Sequence, residues 1–292
     1  MIISNLIGGL GNQMFQYAAG RSLALRCGVE FKVDLSEFSS YPLHQGFELD
    51  RIFNCPISIA STLDLKEALG WRRNQLYRKL LSRLSISGAL GKGFMVEPHF
   101  HYWNGLGGSI ENAYLAGYWQ SEKYFIENED QIRNDFQFKS PLIGKNLLLA
   151  DEIGGTNSIG IHIRRGDYVS NPKAHAVHGV CSIDYYSRAI GLVEKTVTLP
   201  KYFIFSDDIY WAKKNLNFLD DPVFIDHNIG ADSYKDMQLM SLCKHNIIAN
   251  SSFSWWGAWL NQNKQKVVIA PNCWFVNGNN IKDLLPSEWM RI

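Results

Sequence analysis

Ser158-Ile-Gly-Ile-His-Ile163-Arg164-Arg165-Gly166-Asp167-Tyr168 decides how the rest of the chain is read. Ile159, Ile161 and Ile163 alternate with small or polar residues, the period-two pattern of a strand that reaches the interior. The strand then stops in two arginines, a glycine and an aspartate. Two guanidiniums at a strand end form a permanently charged fork for a planar or phosphate-like anion. The neighbouring Asp167 could orient an arginine or act as a base. The plainer alternative is a surface turn whose Arg and Asp pair with each other, since charged runs are commonly solvated.

Downstream the pattern is regular. Strands are predicted over 158–163, 201–206, 222–226, 246–249 and 266–270, with helices over 183–196, 208–217, 233–244 and 254–262. Such alternation makes a parallel sheet covered on both faces. Ligands of these sheets gather at the carboxyl ends of the strands. Polar clusters fall at or near such ends, at 162–167, 206–208, 226–228 and 250–254. Upstream, a strand at 2–6, a Gly8-Gly9-Leu10-Gly11 turn, a helix over 12–27 closed by Gly28 and a strand at 29–35 make a β–α–β opening. A helix N-terminus after a glycine turn favours anions. The dinucleotide fingerprint lacks its third glycine and the Walker loop its Gly-Lys-Ser/Thr, so a tight turn and a ligand loop both remain open. A strand is expected at 113–117, and Ser121 is a candidate cap for a helix running to Arg133. The glycines at 144, 154 and 155 mark the expected domain boundary, giving domains 1–155 and 156–292.

The totals exclude several classes. The chain has 292 residues with net charge +1, so no global field points to nucleic acid. Its five cysteines are odd in number and widely spaced without C-x-x-C, so neither a disulfide framework nor a zinc site is signalled, which favours a reducing compartment. No apolar run is long enough to cross a bilayer, and the N-terminus reads as a first strand rather than a secretion signal. A cytoplasmic protein is expected. Residues 71–92 carry Arg72, Arg73, Arg78, Lys79, Arg83 and Lys92 with no acid. A helix covering the core with a solvated basic face is the plainer reading. The alternative is peripheral contact with an anionic membrane surface, here the inner membrane.

Three further stretches bear chemistry. Ser206-Asp207-Asp208 could be a metal-binding pair, but helix capping explains it more simply. Asn250-Ser251-Ser252-Phe253-Ser254 opens a helix under tryptophans, a phosphate seat or a plain capped helix. Asp236 begins another helix, where the dipole favours an acid anyway; a carboxylate can also accept from two adjacent donors on guanine, a pair adenine lacks.

Taken together, five blocks resemble the α-1,2-fucosyltransferases of glycosyltransferase family 11. They are Gly8-Gly-Leu-Gly-Asn-Gln-Met-Phe-Gln-Tyr-Ala18, Gly117-Tyr-Trp-Gln-Ser-Glu-Lys-Tyr124, His162-Ile-Arg-Arg-Gly-Asp-Tyr168, Ser206-Asp-Asp208 and Asn250-Ser-Ser-Phe-Ser-Trp-Trp-Gly-Ala-Trp259. The resemblance implies a GT-B-like α/β architecture of two Rossmann-like domains facing across a cleft, with the glycine-rich N-terminal domain on the acceptor side. It implies GDP-L-fucose as donor, inversion at the anomeric carbon and no required metal or other cofactor. The acceptor partner would be a terminal β-galactose of an oligosaccharide, lipid-linked or free, as in an O-antigen repeat unit. By similarity Arg164 would contact the β-phosphate and His162 the nucleotide, Asp236 would read guanine, and Ser252, Phe253 and Ser254 would hold phosphate and nucleoside. Gly11 and Asn12 would approach the donor from the N-terminal domain. The α-1,6 relatives carry a catalytic glutamate where this chain has Pro172, so that assignment does not transfer. Asp167 is the first candidate base, with His175 and His178 behind it in a loop expected to be mobile. Competing readings are a metal-dependent glycosyltransferase with Asp207 and Asp208 as ligands, an α-1,6- or protein O-fucosyltransferase-like enzyme, and a non-catalytic sugar or nucleotide binder.

Overall fold

A computed structural model describes residues 1–40, 45–70, 93–108, 110–276 and 278–292. The basic stretch 71–92 lies outside the described residues. The chain divides into two compact units, Met1–Lys139 with Asn280–Pro286, and Ser140–Asn279 with Ser287–Ile292.

The first unit holds strands β1 (Ile2–Asn5), β2 (Phe31–Asp34), β3 (Phe94–Val96) and β4 (Ala113–Ala116) in one parallel sheet of order β2-β1-β4-β3. Helix α1 (Leu10–Cys27) joins β1 to β2, and short helices α2 (Leu49–Ile52), α3 (Thr62–Leu69) and α4 (Glu129–Asp135) complete the unit. Gly8 takes φ +85°, and a Cβ there would stand 2.9 Å from the Asn12 side chain, so the turn into α1 requires glycine. Helix α1 starts two residues earlier than predicted because the Gly9 carbonyl accepts from the Asn12 and Gln13 N–H groups. It ends as predicted at Gly28, in the left-handed conformation at φ 65°. Buried Asp135 on α4 accepts from the Tyr17 hydroxyl at 2.9 Å and pairs with Arg21 at 3.1 Å, tying α1 to α4. The single helix expected from Ser121 to Arg133 is instead two 3₁₀ turns, Glu122–Tyr124 and Ile126–Asn128, followed by α4. Ser121 caps only the first, accepting from the Lys123 N–H, while its hydroxyl donates to the Asp283 carbonyl at 2.6 Å.

In the second unit helices α5 (Lys145–Gly155), α6 (Gly166–Ser170), α7 (Pro172–His178), α8 (Ile183–Val193), α9 (Ile209–Asn215), α10 (Tyr234–Leu242) and α11 (Ser252–Leu260) surround a parallel sheet. Its strands are β5 (Asn157–Ile163), β6 (Pro200–Ser206), β7 (Val223–Ile225), β8 (His245–Ile247), β9 (Val268–Ala270) and β10 (Met290–Arg291), in the order β10-β9-β8-β5-β6-β7. Ile161 of β5 aligns with Ile204 of β6 and Ile247 of β8. Pleating separates the faces. Ile159, Ile161, Ile163, Tyr202 and Ile204 pack with Tyr186 and Ile190 of α8, whereas Phe203, Phe205 and Ile225 pack with Leu149 and Ile153 of α5 and Leu239 and Met240 of α10. Burying each large apolar side chain stabilises by roughly 1.5–3 kcal/mol.

The boundary falls after Lys139, not after residue 155. Of the glycines expected to mark the boundary, Gly144 is the N-cap of α5 and Gly154 and Gly155 are its last residues; the helix buries Asn146, Leu149 and Ile153 along one face and is thereby part of the second core. The segment expected to be a mobile loop around His175 and His178 is helical, with Asn171 capping α7 through Lys173 and Ala174 and Pro172 in the first turn.

Candidate active site

Strand order fixes where a ligand can sit. The chain runs from β5 to β6 and β7 on one side, then crosses back so that β8 pairs with β5 on the other. The carboxyl ends of β5 and β8 therefore flank the point where the order reverses, the usual ligand crevice of such sheets. Arg164 follows β5, and Asn250 to Ser254 follow β8.

Arg164 is a quarter exposed and held on both sides. Its Nη1 pairs with Asp207 Oδ2 at 2.8 Å, its Nη2 pairs with Asp167 Oδ1, and its guanidinium lies 5.3 Å from the Tyr168 ring centre. Arg165 faces elsewhere. Its Nε pairs with Asp208 Oδ2 at 3.2 Å, its guanidinium lies over Trp211 at 4.3 Å, and its backbone N–H donates to Asp207 Oδ1 at 2.7 Å. A Cβ at Gly166 would come within 2.6 Å of Asp207 Oδ2, so a side chain there would displace that carboxylate. Asp208 also caps α9 by accepting from the Trp211 N–H at 3.0 Å. Thus both oxygens of Asp207 and both of Asp208 serve arginines or backbone N–H groups. Asp167, the first candidate base, is the second clasp on Arg164 and is the more exposed of its two acids, at 41% against 25%.

His162 lies on the opposite face of β5 from the isoleucines. It is buried, its ring stands 5.6 Å from Phe253, and Nδ1 has no hydrogen-bond partner among the described residues. Burial, reinforced by Arg164, pushes its pKa down to about 3, so the ring is neutral. Phe253 packs in turn against the Leu239–Met240 cluster, one turn along α10 from Asp236. Asp236 is pushed up to about 7 by burial, opposed by a hydrogen bond from Asn228. Ser252 and Phe253 open α11, the helix that follows β8. Ser254 does not join them. It is fully buried, and its hydroxyl turns back to the Ser251 and Ala249 carbonyls at 3.2 and 3.4 Å, so this side chain is engaged by the backbone of its own helix start. Asn250 is likewise structural, donating to the His178 and Trp274 carbonyls. His175 and His178 are tied to the local fold: Tyr168 O lies 2.8 Å from His175 Nδ1, and the Tyr168 ring stacks on His178 at 4.5 Å. Among the described residues no three His, Cys, Asp or Glu side chains converge as metal ligands.

Residues 56–292 match the profile described as Glycosyl transferase family 11. The chain belongs to this family. An Escherichia coli protein named alpha-1,2-colitosyltransferase is 39% identical over 302 residues, covering 100% of this chain and 99% of its own. A second, the O-antigen biosynthesis glycosyltransferase WbnK of the same species, is 36% identical and covers 99% of both chains. The mouse galactoside alpha-(1,2)-fucosyltransferase 2 is 30% identical over 88% of this chain and 67% of its own. Among solved structures, the fucosyltransferase NodZ from Bradyrhizobium superposes with TM-score 0.53 at 16% identity, over 88% of this chain and 90% of that one. That likeness establishes the GT-B-like α/β fold.

In this glycosyltransferase the first unit brings together residues of two quoted blocks. Gln120, after β4, donates to Asn12 Oδ1 at 2.8 Å across the point where β1 and β4 adjoin. Gly11 and Asn12 occupy the first turn of α1. Sequence reasoning missed Glu97 at the end of β3. Its carboxylate accepts from the Tyr118 and Trp119 N–H groups at 2.7 and 3.0 Å, and burial pushes it up to about 7. It also missed Asp207 as the partner of Arg164. The signal was present: Ile163 aligns with Ser206 in parallel register, so the next residues, Arg164 and Asp207, emerge side by side. No helix among the described residues is long and apolar enough to cross a membrane.

Proposed function

We propose that this glycosyltransferase moves L-fucose from GDP-L-fucose to the 2-hydroxyl of a terminal β-galactose, inverting the anomeric carbon and using no divalent ion, in the assembly of a surface polysaccharide such as an O-antigen repeat. The observation that carries the reading is Arg164 at the reversal point of the sheet, its guanidinium fixed by Asp207. In the reaction the acceptor oxygen bonds to the anomeric carbon as the bond from that carbon to the β-phosphate breaks. The electron pair of the broken bond stays with GDP, and the hydroxyl proton leaves to a base or to water. Positive charge develops on the sugar and negative charge on the diphosphate, and a preorganised guanidinium stabilises the latter. Arg164 can meet the phosphate by giving up the more exposed Asp167 while Asp207 keeps its plane oriented. The first-turn N–H groups of α11 supply neutral donors beside it. Neutral His162 can hydrogen-bond the nucleotide without bringing a charge, and Asp236 takes the guanine edge. A divalent ion at Asp207 and Asp208 would have to compete with two arginines for those carboxylates.

Relatives named for 1,2-linked transfer support the linkage, and the mouse relative's name supports fucose and a galactoside. A second donor is favoured by the 39% identical colitosyltransferase: colitose, which is fucose lacking its 3-hydroxyl. The test offers GDP-fucose and GDP-colitose separately with a panel of β-galactosyl disaccharides, with and without EDTA, and determines the product linkage by NMR. A 1,2-linked fucoside formed in EDTA supports the proposal. Transfer of colitose alone replaces the donor, and loss of turnover in EDTA overturns the metal-free mechanism.

A further inference from the structure

Asp236 does not stand alone. Its Oδ1 accepts from Asn228 Nδ2 at 2.8 Å, and among the described residues no donor reaches Oδ2. Asn228 is buried and its amide cannot be turned over freely. Its Oδ1 accepts from Asn146 Nδ2 at 2.8 Å, and its Nδ2 also reaches Asn146 Oδ1 at 3.1 Å. Asn146 Oδ1 lies a further 2.9 Å from His227 Nε2. Three separate elements thus supply one directional chain: Asn146 from α5, His227 and Asn228 from the loop after β7, and Asp236 from α10. Each amide has one orientation that satisfies its neighbours, and reversing Asn228 would aim a carbonyl oxygen at the carboxylate.

We propose that Asn228, oriented by Asn146, is a positioning residue that keeps Asp236 an acceptor-only carboxylate for the paired N–H donors of guanine, and thereby sets the base selectivity of the nucleotide site. The inference rests on Asp236 as the guanine partner. A protonated Asp236 would offer a donor where guanine also offers donors, so the base would bind only the ionised form. Burial favours the neutral form, and the Asn228 N–H opposes it. The charged groups around the cluster are partnered with one another: Lys145 and Lys213 with Asp226, and Lys235 with Asp232. His227 is held below its ordinary range by burial and by Lys145, with Asp226 opposing, so its ring stays neutral to lower pH than a free imidazole. The terminal phosphate titrates alike in GDP and IDP, so the acid limb in the preference between them belongs to Asp236.

Calorimetric titrations of GDP and of IDP, which lacks the 2-amino donor, against the whole protein from pH 5.5 to 8.5 test this. The parent protein should prefer GDP by roughly tenfold or more, the worth of one hydrogen bond to a charged group. Asn228→Leu should lose most of that preference at pH 7 and move the acid limb about one pH unit higher, with GDP affinity recovering above it. Asn146→Ala should move both in the same direction by less, and it supplies the measurement if Asn228→Leu does not fold. Unchanged preference and limb in either folded variant overturn the role of Asn228, as does an equal loss of GDP and IDP affinity at every pH, which would mark a packing effect. If Asp236→Asn leaves the GDP preference intact, the guanine reading itself fails, an outcome distinguishable from the first because the Asn228 variant is then irrelevant to base choice.

Discussion

Replacing Arg164 with alanine should lower kcat by roughly 10²–10³ while leaving the protein folded. The guanidinium is 25% exposed, a setting where an effective dielectric near 20 makes a charge contact at about 4 Å worth about 4 kcal/mol. Both carboxylates on Arg164 already draw on that charge, so the net loss belongs to the lower part of the range. Arg164→Lys should recover less than about tenfold, because an ammonium cannot face Asp207 in the plane of its carboxylate and hold a phosphate oxygen with a second nitrogen of fixed geometry. The assay is phosphatase-coupled GDP release with saturating GDP-fucose and a β-galactoside, run beside thermal unfolding so that a folding defect is seen separately. The folded state tolerates the change because Asp207 keeps the Arg165 backbone N–H at 2.7 Å. A kcat within twofold of the parent for Arg164→Ala would refute the leaving-group role.

Asp207→Asn should lower kcat about tenfold by loosening Arg164, whereas Asp208→Ala, which removes the α9 cap and the Arg165 partner, should cost about 1 kcal/mol of stability and little turnover; kinetics and thermal melts on both variants separate them. Asp167→Asn distinguishes two roles by one comparison: a competitor of the phosphate for Arg164 predicts tighter GDP binding by titration, and a general base predicts unchanged GDP affinity with kcat down about 10²–10⁴. Ser254→Ala should leave kcat and the donor KM within about twofold, since the hydroxyl bonds only to backbone, and should cost about 1 kcal/mol in a denaturant melt. Glu97 and Asp236 are both raised to about 7 from an ordinary value near 4, so the folded state holds protons that the unfolded state has released. Their contribution to stability is full below about pH 4 and is lost as pH rises to about 7; Glu97→Gln with Asp236→Asn should flatten the unfolding free energy across that window, measured without nucleotide.

Much of the second unit was legible because its strands announce themselves. Alternating isoleucines in β5 and the aromatic–aliphatic alternation of β6 place residues on opposite faces, and the helices between them follow. What failed did so for nameable reasons. Glycines at 144, 154 and 155 suggested a domain boundary, yet Asn146, Leu149 and Ile153 carry the helical spacing that docks α5. Asn171 and Pro172, a cap and a first-turn proline, were in plain view, yet the segment around His175 and His178 was expected to be a loop. Ser254 was read from its block rather than from its helix: with Trp255, Trp256, Ala258 and Trp259 buried around it, α11 has almost no solvent face to present a hydroxyl. Glu97 had no pattern at all, since its two partners are backbone N–H groups some 21 and 22 positions away.

Asp207 teaches a different lesson, because a capping rule and a register rule gave different answers for neighbouring residues. Capping was right for Asp208 and silent on Asp207. Only the parallel pairing of β5 with β6, which sets Ile163 beside Ser206, puts Arg164 beside Asp207. The charge balance that results is unexpected for an anion site: two guanidiniums stand against three carboxylates at the end of β5 and β6. A diphosphate arriving there gains little from net charge and must gain from geometry, by taking the place of one carboxylate on a guanidinium that another already aims. That arrangement suits a leaving group better than a tight ligand. On the proposed reading, the acid displaced on binding would stay at hand to reclaim Arg164 when GDP departs, so the pairing that weakens ground-state binding would also assist release.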